Sequence, residues 1–250
     1  MRTADFAAAM ERSVPAAFSE SWDRDGVMVL PDADAEVTGV LCALDCTSVA
    51  IEKAVSLGCN VIVCHHPLIF HPLETVTESD PTAKRVLSCV KNGIAVLSFH
   101  TRLDSMPGGV NDCLAEAIGV RNAEAFLPFA RIGDVEEQSF ETFRKAVSRG
   151  LQIEPLTCVK SHESVRRVAL MSGSGKDGIA DAVKAGADTY VTGEVRHENM
   201  IECREYGINL ICASHHATER VVLPFLAEKI GEMGIETVIH DFTEAEEYGI

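Results

Sequence analysis

The chain has no apolar run long enough to cross a bilayer, and this absence limits the class of protein. None of its apolar runs approaches the roughly 20 residues that a transmembrane helix needs. Residues 1–10 mix charged and apolar side chains and lack the apolar core of a secretory signal peptide. We therefore expect a cytoplasmic protein with no membrane partner.

Basic residues are also scarce. The 250 residues include 22 Lys and Arg against 38 Asp and Glu, which gives a formal net charge of -16 at pH 7. Because proteins that bind the phosphate backbone normally carry a basic face, this balance argues against nucleic acid as a partner. The length is sufficient for one large domain or two small ones.

No CxxC pair occurs among the nine cysteines, and their number is odd. Most of them lie inside apolar strand or helix patterns, which is typical of buried reduced thiols in a cytosolic protein rather than of a disulfide framework. Cys64 adjoins His65 and could act as a metal ligand. Side chains alternate in a strand, however, and this favours a Cys64 thiol that points into the core.

Strands and helices alternate in the order expected of parallel βαβ units. Asp45 or Thr47 is expected to cap the helix that follows the first strand, and Asp80 to cap the helix that begins at Pro81. Strands are predicted at 37–44, 61–64, 94–99, 165–171 and 236–241. Helices are predicted at 4–12, 49–57, 81–91, 111–118, 139–149, 179–185, 197–206 and 218–230.

The last third of the chain repeats the first in outline. Residues 186–194 match the pattern of 58–66, and residues 206–216 match that of 92–100, since each has a glycine, a short apolar strand and a polar tip. We therefore predict an α/β fold of two related lobes, residues 1–125 and 126–250. Each lobe should have a central, largely parallel mixed sheet, with a metal site in the cleft between the lobes.

Two histidines end the predicted strand 61–64, where Pro67 stops the chain from continuing. Open α/β sheets bind ligands at the carboxyl ends of their strands, and neutral imidazole is the commonest metal ligand among side chains. Taken alone, the pair has an equally good structural explanation, in which His65 or His66 caps the strand and the other is solvated.

Further candidate ligands also follow strand ends. Asp104 comes after the strand 94–99, and His215 and Glu219 are four residues apart, so they share one helix face. Asp104 could instead be a turn residue, and Glu219 suits a first helical turn on electrostatic grounds.

Together these residues supply three imidazoles and two carboxylates, enough for two metal ions if one carboxylate bridges them. Such sets suit zinc, iron or manganese. Two divalent ions and two carboxylates leave a net charge of about +2, so an anion, hydroxide or a phosphate oxygen, should complete the site. His100, His197 and Glu194 are candidates for acid–base or supporting roles.

The loop Ser172–Gly178 looks superficially like a phosphate-binding loop. It lacks the GxxxxGK[ST] spacing, and Asp177 stands where the hydroxyl should be. One interpretation is a tight strand-to-helix turn. The other is a loop whose backbone N–H groups face an anion.

An ordered set of motifs along nearly the whole chain resembles the GTP cyclohydrolase 1 type 2 homologues, the NIF-three-like family of dinuclear-metal proteins. The motifs are Glu20-Ser21-Trp22-Asp23, Ala43-Leu44-Asp45, His65-His66-Pro67-Leu68-Ile69-Phe70, His100-Thr101 with Leu103-Asp104, Pro107-Gly108-Gly109-Val110-Asn111-Asp112, Thr192-Gly193-Glu194 and Ser214-His215-His216-Ala217-Thr218-Glu219. The resemblance implies that His65, His66, Asp104, His215 and Glu219 hold two divalent cations per subunit. It also implies a toroidal homohexamer whose metal sites face an internal cavity.

The chain departs from the family pattern at two positions: Ser214 stands where Gly is usual and Arg102 where Asn is common. Longer family members carry an inserted domain, for which 250 residues leave no room. The family name implies hydrolytic opening of the GTP purine ring. No Lys or Arg cluster in the sequence marks a triphosphate site.

We therefore expect a metal-dependent hydrolase that acts on a nucleotide or another phosphorylated small molecule. The alternative is a non-enzymatic metal-binding or scaffold ring. Nucleic-acid processing through such a ring is a third hypothesis, and the acidic balance argues against it.

Overall fold

Strands and helices alternate along most of the chain in the computed structural model, which describes residues 1–154 and 156–241. The strands of this described part are β1 Gly26–Val29, β2 Val40–Ala43, β3 Val61–Cys64, β4 Ala95–Ser98, β5 Arg121–Leu127, β6 Ala130–Ser139, β7 Thr157–Val159, β8 Ser164–Met171, β9 Thr189–Thr192, β10 Asn209–Cys212 and β11 Thr237–Ile239. Its α-helices are α1 Thr3–Ser13, α2 Ser48–Leu57, α3 Pro81–Lys91, α4 Thr101–Ser105, α5 Val110–Ala117, α6 Phe140–Leu151, α7 Ile179–Lys184, α8 His197–Tyr206, α9 His215–Glu219 and α10 Leu223–Gly231.

The chain forms two compact units, Met1–Met106 with the segment that begins at Leu223, and Pro107–Val222. The predicted lobes, 1–125 and 126–250, divide the chain elsewhere. Strand β5 pairs with β6 in the sheet of the second unit, and β11 pairs with β2 in the sheet of the first. The end of the second predicted lobe, residues 242–250, lies outside the described residues.

The first unit has a five-stranded sheet in the order β1-β4-β3-β2-β11. All pairings are parallel except that of the edge strand β1 with β4. Every residue of β2, β3 and β4 is buried, as expected of parallel strands that are covered on both faces. Thr47 caps α2 by accepting a hydrogen bond from Ala50 N, and Asp80 caps α3 in the same way.

The second unit has a six-stranded sheet in the order β5-β6-β8-β9-β10-β7. Its β8-α7-β9-α8-β10 segment is parallel and repeats the β2-α2-β3-α3-β4 segment of the first unit. The remaining pairings are antiparallel, so both sheets are mixed, as predicted. One core packs α5 and α6 against this sheet around Phe143 and Val168, and another surrounds Tyr190.

The predicted helix 218–230 is broken in the structure. Helix α9 already begins at His215, a 3-10 turn occupies Arg220–Val222, and α10 starts at Leu223. Pro224 has no N–H to donate to the preceding turn, which explains the break. Strands β1, β5, β6 and β7 were not predicted. β1 and β7 are short segments at the edges of their sheets, and the apolar pattern is weak over residues 121–139, where β5 and β6 lie.

Candidate metal centre

The two histidines that follow β3 are held so that both present the same ring nitrogen. His65 is fully buried, and its Nδ1 lies 3.0 Å from the carbonyl oxygen of Phe99. A carbonyl only accepts, so Nδ1 carries the proton and Nε2 carries the lone pair. His66 Nδ1 lies 3.0 Å from Asp45 Oδ1, which selects the same tautomer. This is how metal-binding histidines are usually oriented.

A third imidazole belongs to the same group. His100 Nδ1 lies 2.9 Å from Asp23 Oδ1, and Asp23 also accepts hydrogen bonds from the backbone N and the hydroxyl of Thr101. Burial by itself would raise the pKa of Asp23, but the hydrogen bonds from His100 and Thr101 outweigh it and hold that pKa well below its usual range. One ring nitrogen from each of His65, His66 and His100 lies within 4.8 Å of the others.

Asp104 joins this group from α4. It is almost fully buried, and its Oδ1 lies 3.7 Å from His65 Nε2. Two donors bound at about 2.1 Å to one ion, at angles of 90° to 109°, lie about 3.0–3.4 Å apart. The pair formed by His65 and Asp104 is a few tenths of an ångström wider than this range.

The second unit holds its own donors at the end of β10. His215 Nε2 lies 3.1 Å from Glu219 Oε1, within the range for two ligands of one ion, and His215 Nδ1 lies 3.3 Å from Glu194 Oε2. Glu219 is buried, whereas Glu194 is exposed. An imidazole between two carboxylates is an environment that favours a cation.

Gly173 is what allows the β8 loop to approach this pair. Its φ is +56°, and a Cβ at this position would lie 2.2 Å from Glu219 Oε1 and 3.2 Å from His215 Nε2.

Ser214, the residue before His215, has φ +64° and ψ 151°, a region that glycine adopts without strain. This conformation explains why glycine is usual here in the family that the sequence resembles, and it means that the serine of this chain adopts a strained backbone.

The loop Ser172–Gly178 is a packed turn in the structure. Gly173 N donates to Thr218 Oγ1 at 3.0 Å, and Gly175 N donates to Thr192 Oγ1 at 3.0 Å. Tyr190 OH donates to Gly175 O at 2.7 Å. Two amides that an anion would need are thus engaged within the unit, and this favours the turn over the phosphate loop.

The three acid–base candidates lie in different surroundings. His100 belongs to the histidine group of the first unit, and Glu194 adjoins His215 in the second. His197 is exposed at the first position of α8, and within the described chain no hydrogen bond or ion pair of its side chain is found.

Sequence reasoning missed the residues that orient the donors. Asp45 was considered only as a helix cap and as part of a motif, yet Thr47 has the capping role and Asp45 holds His66. Asp23 was noted only as part of a motif, and Gly173 only as part of the loop. Asp45, Asp23 and Gly173 each lie within three residues of a strand end, and this was the signal that could have identified them.

The cysteines stay outside the site. All nine are free, and Cys64 is fully buried, with its Sγ 3.1 Å from Ser98 Oγ. Burial raises the pKa of the Cys64 thiol to about 12, so it remains protonated near neutral pH. Cys64 is therefore a core thiol, as predicted.

Comparison with known proteins gives consistent matches over nearly the whole chain. A model of the family described as Duf34/NIF3 (NGG1p interacting factor 3) matches residues 1–246. The GTP cyclohydrolase 1 type 2 homolog of Clostridium perfringens is 31% identical over 242 residues, which cover 93% of this chain and 92% of the relative.

Solved structures also match this chain over nearly its whole length. The crystal structure of Staphylococcus aureus hypothetical protein SA1388 matches with a TM-score of 0.89 at 26% identity and covers 97% of both chains. Reduced HcgD from Methanocaldococcus jannaschii matches with a TM-score of 0.86 at 28% identity, over 97% of this chain and 98% of the other.

In the part of the chain that the structure describes, no helix is both long and apolar enough to span a membrane.

Proposed function

The chain belongs to the Duf34/NIF3 family, and on that premise we propose that it is a metal-dependent hydrolase with two divalent cations per chain. Its substrate class is a nucleotide or another phosphorylated small molecule. The name carried by its relatives, GTP cyclohydrolase 1 type 2 homolog, makes GTP the first substrate to test.

The observation that carries the proposal is the common orientation of the imidazoles in the first unit. His65, His66 and His100 each have Nδ1 next to an oxygen acceptor, which leaves Nε2 of His65 and His66 to bind a cation and Nε2 of His100 to transfer a proton. Core histidines without a ligand have no need of a common tautomer.

Five side chains would hold the cations: His65, His66 and Asp104 from the first unit, and His215 and Glu219 from the second. Imidazole and carboxylate donors fit zinc, iron or manganese. Two carboxylates neutralise only half of the charge of two divalent ions, so an anionic substrate suits the site. When bound, such a pair lowers the pKa of water and stabilises negative charge that develops on a substrate oxygen.

Proton transfer falls to the chain's own side chains. Asp23 fixes the ring of His100 through Nδ1, so that Nε2 can accept and return a proton, as in other carboxylate–histidine pairs. Glu194 is placed to hold the Nδ1 proton of His215. His197, which is exposed, remains a candidate only if a bound substrate reaches the start of α8.

The family resemblance supports one further part of the proposal, a toroidal homohexamer. We also propose a cytoplasmic location, which rests on the cysteine pattern and not on the resemblance. The free state of the nine cysteines agrees with a reducing compartment. The net charge of -16 still argues against nucleic acid as a partner.

The test is turnover by protein loaded with zinc, manganese or iron and incubated with GTP, GMP and sugar phosphates, followed by proton and phosphorus NMR. We expect hydrolysis of at least one of these compounds, and His100→Gln should lower kcat by about 100-fold or more with the metal content unchanged. Full metal occupancy without turnover of any compound would contradict the hydrolase and favour the non-enzymatic metal-binding ring.

A further inference from the structure

Three rings meet beside the histidines of the first unit. The ring centroids of Trp22 and His100 are 6.4 Å apart, those of Trp22 and Phe70 are 6.5 Å apart, and those of Phe70 and His100 are 6.1 Å apart. Interplanar angles of 79°, 73° and 88° make each contact edge-to-face, a favourable geometry. His100 in turn lies 5.3 Å from His65 between ring centroids, so the rings adjoin the candidate metal ligands.

Two of these rings are accessible to solvent. Trp22 is 54% exposed and Phe70 is 39% exposed. The first unit buries other aromatic side chains completely, for example Phe6 and Phe99. Because indole gains more than most side chains from burial, a tryptophan left half in water calls for an explanation.

The exposure of Trp22 does not arise from a loosely held loop. Asp23, the next residue, accepts three hydrogen bonds from His100 and Thr101. Two residues further on, Asp25 Oδ2 accepts from Arg102 Nε at 2.8 Å, and the Arg102 side chain is only 3% exposed. The loop is therefore fixed on the C-terminal side of Trp22 by buried charge-assisted hydrogen bonds, and the indole is held in position before any ligand arrives.

We infer that Trp22 and Phe70 form a stacking platform for a planar aromatic ring, such as a nucleobase, of the molecule that is bound at the metal centre. Bases stack on exposed aromatic side chains with little dependence on sequence, because every base has a π-face. The inference deepens the proposed function and rests on it, since it names the ring-bearing part of the substrate. The inference narrows the proposed substrate class from phosphorylated small molecules in general to those that carry an aromatic heterocycle.

The chain provides its own reporter, since Trp22 is its single tryptophan. GMP and ribose phosphate are titrated separately into the full-length protein as purified, without added metal or chelator, and the tryptophan emission is recorded. We expect saturable quenching by GMP and none by ribose phosphate, which has the same phosphate and sugar but no base. The absence of any saturable change with GMP, CMP or a free pteridine would overturn the inference.

Variants separate stacking from a structural role. By equilibrium dialysis, Trp22→Leu and Phe70→Leu should each bind GMP about tenfold more weakly or worse, and Trp22→Phe should recover most of the affinity. Phe18→Leu is the matched control, because Phe18 is also 39% exposed but lies in the 3-10 turn Ala16–Phe18. Equal GMP affinity in wild type and both leucine variants would contradict the platform.

Two other outcomes are also decisive. If Trp22 emission follows protein concentration and not ligand, the indole belongs to a contact between copies of the chain and the inference fails. Metal content, measured in every variant, distinguishes the two proposals. A protein that holds metal and hydrolyses a nucleotide without using Trp22 overturns the platform alone, whereas stacking in a protein that holds no metal overturns the hydrolase alone.

Discussion

Ser214 shows how a single residue can hold a conformation that its side chain disfavours. With φ +64° and ψ 151°, it lies in a region that costs a non-glycine residue about 1–3 kcal/mol. Its hydroxyl offsets part of this cost by accepting a hydrogen bond from Ala217 N at the start of α9. The strain lies directly before His215, so it belongs to the segment that places a candidate ligand.

We expect Ser214→Gly to raise the free energy of unfolding by about 1 kcal/mol, because relief of strain exceeds the few tenths lost with the cap. Urea unfolding of metal-free protein measures this. Ser139 is the matched control, since it caps α6 in the same way but has φ -70°. Ser139→Gly should be destabilising, and a stabilising effect in both variants, or in neither, would refute the explanation.

Asp23 gives a prediction for pH dependence. Its pKa is held below the ordinary value of 3.8, so ionised Asp23 stabilises the folded protein above that pH, and this stability is lost as the pH falls towards the folded-state pKa. Asp23→Asn should therefore cost about 2 kcal/mol at pH 7. The difference from wild type should shrink progressively below pH 4.

Unfolding in urea between pH 7 and pH 3 checks this prediction. Asp34→Asn is the control, because Asp34 is an exposed partner of Arg2 and its loss should have little effect at any pH. A wild-type advantage over Asp23→Asn that stayed constant down to pH 3 would show that the carboxylate charge is not what matters.

At the scale of elements, the candidate ligands of the second unit depend on three loops that pack closely at strand ends. Glu194 N donates to Gly173 O at 2.9 Å, and Ala213 N donates to Thr192 O at 2.9 Å. A Cβ on Gly193 would lie 2.6 Å from Gly173 O. A small displacement of one loop should therefore displace the other two.

We expect Gly173→Ala to displace Glu219 and to lower the bound metal, measured by elemental analysis, in addition to the cost of a positive φ. Gly186→Ala isolates that cost, because Gly186 has φ +81° and nothing lies within 4 Å of its added Cβ. Both variants should lose about 1 kcal/mol from backbone strain, but only Gly173→Ala should lose metal. Equal metal content in the two variants would refute the steric role of Gly173.

The elements that could be predicted from sequence are those with strong local signals. Helix α3 begins at the predicted Pro81 with the predicted Asp80 cap, and β3 spans the predicted residues 61–64. The edge strands β1 and β7 were missed because their pairing depends on distant segments, and β5 and β6 were missed because the apolar pattern is weak over residues 121–139. The break before Pro224 was missed because the apolar pattern continues through it. Local periodicity carries no information about such partners.

The candidate ligands followed from sequence more readily than the residues that orient them. His65 and His66 end an apolar strand, which is a local signal. Asp45 and Asp23 are 21 and 77 residues from the histidines they hold, so only the folded chain reveals these hydrogen bonds. The aromatic pair Trp22 and Phe70 is another contact of this long-range kind.

At the scale of the whole molecule, the two units repeat one design. Each has three consecutive parallel strands joined by helices, and each carries candidate metal ligands just past the carboxyl ends of those strands. Ligand binding at this end is the general property of open α/β sheets. The repeat explains why a chain of 250 residues presents two sets of imidazole and carboxylate donors.

The measurement that tests the central claim most directly is elemental analysis of protein purified without added metal or chelator, beside Glu219→Ala and Glu116→Ala. Glu116 lies on α5 outside the donor sets and serves as the control. We predict about two transition-metal ions per chain in wild type and in the control, and a clear loss in Glu219→Ala. No metal in wild type, or the same content in all three proteins, would contradict the dinuclear centre.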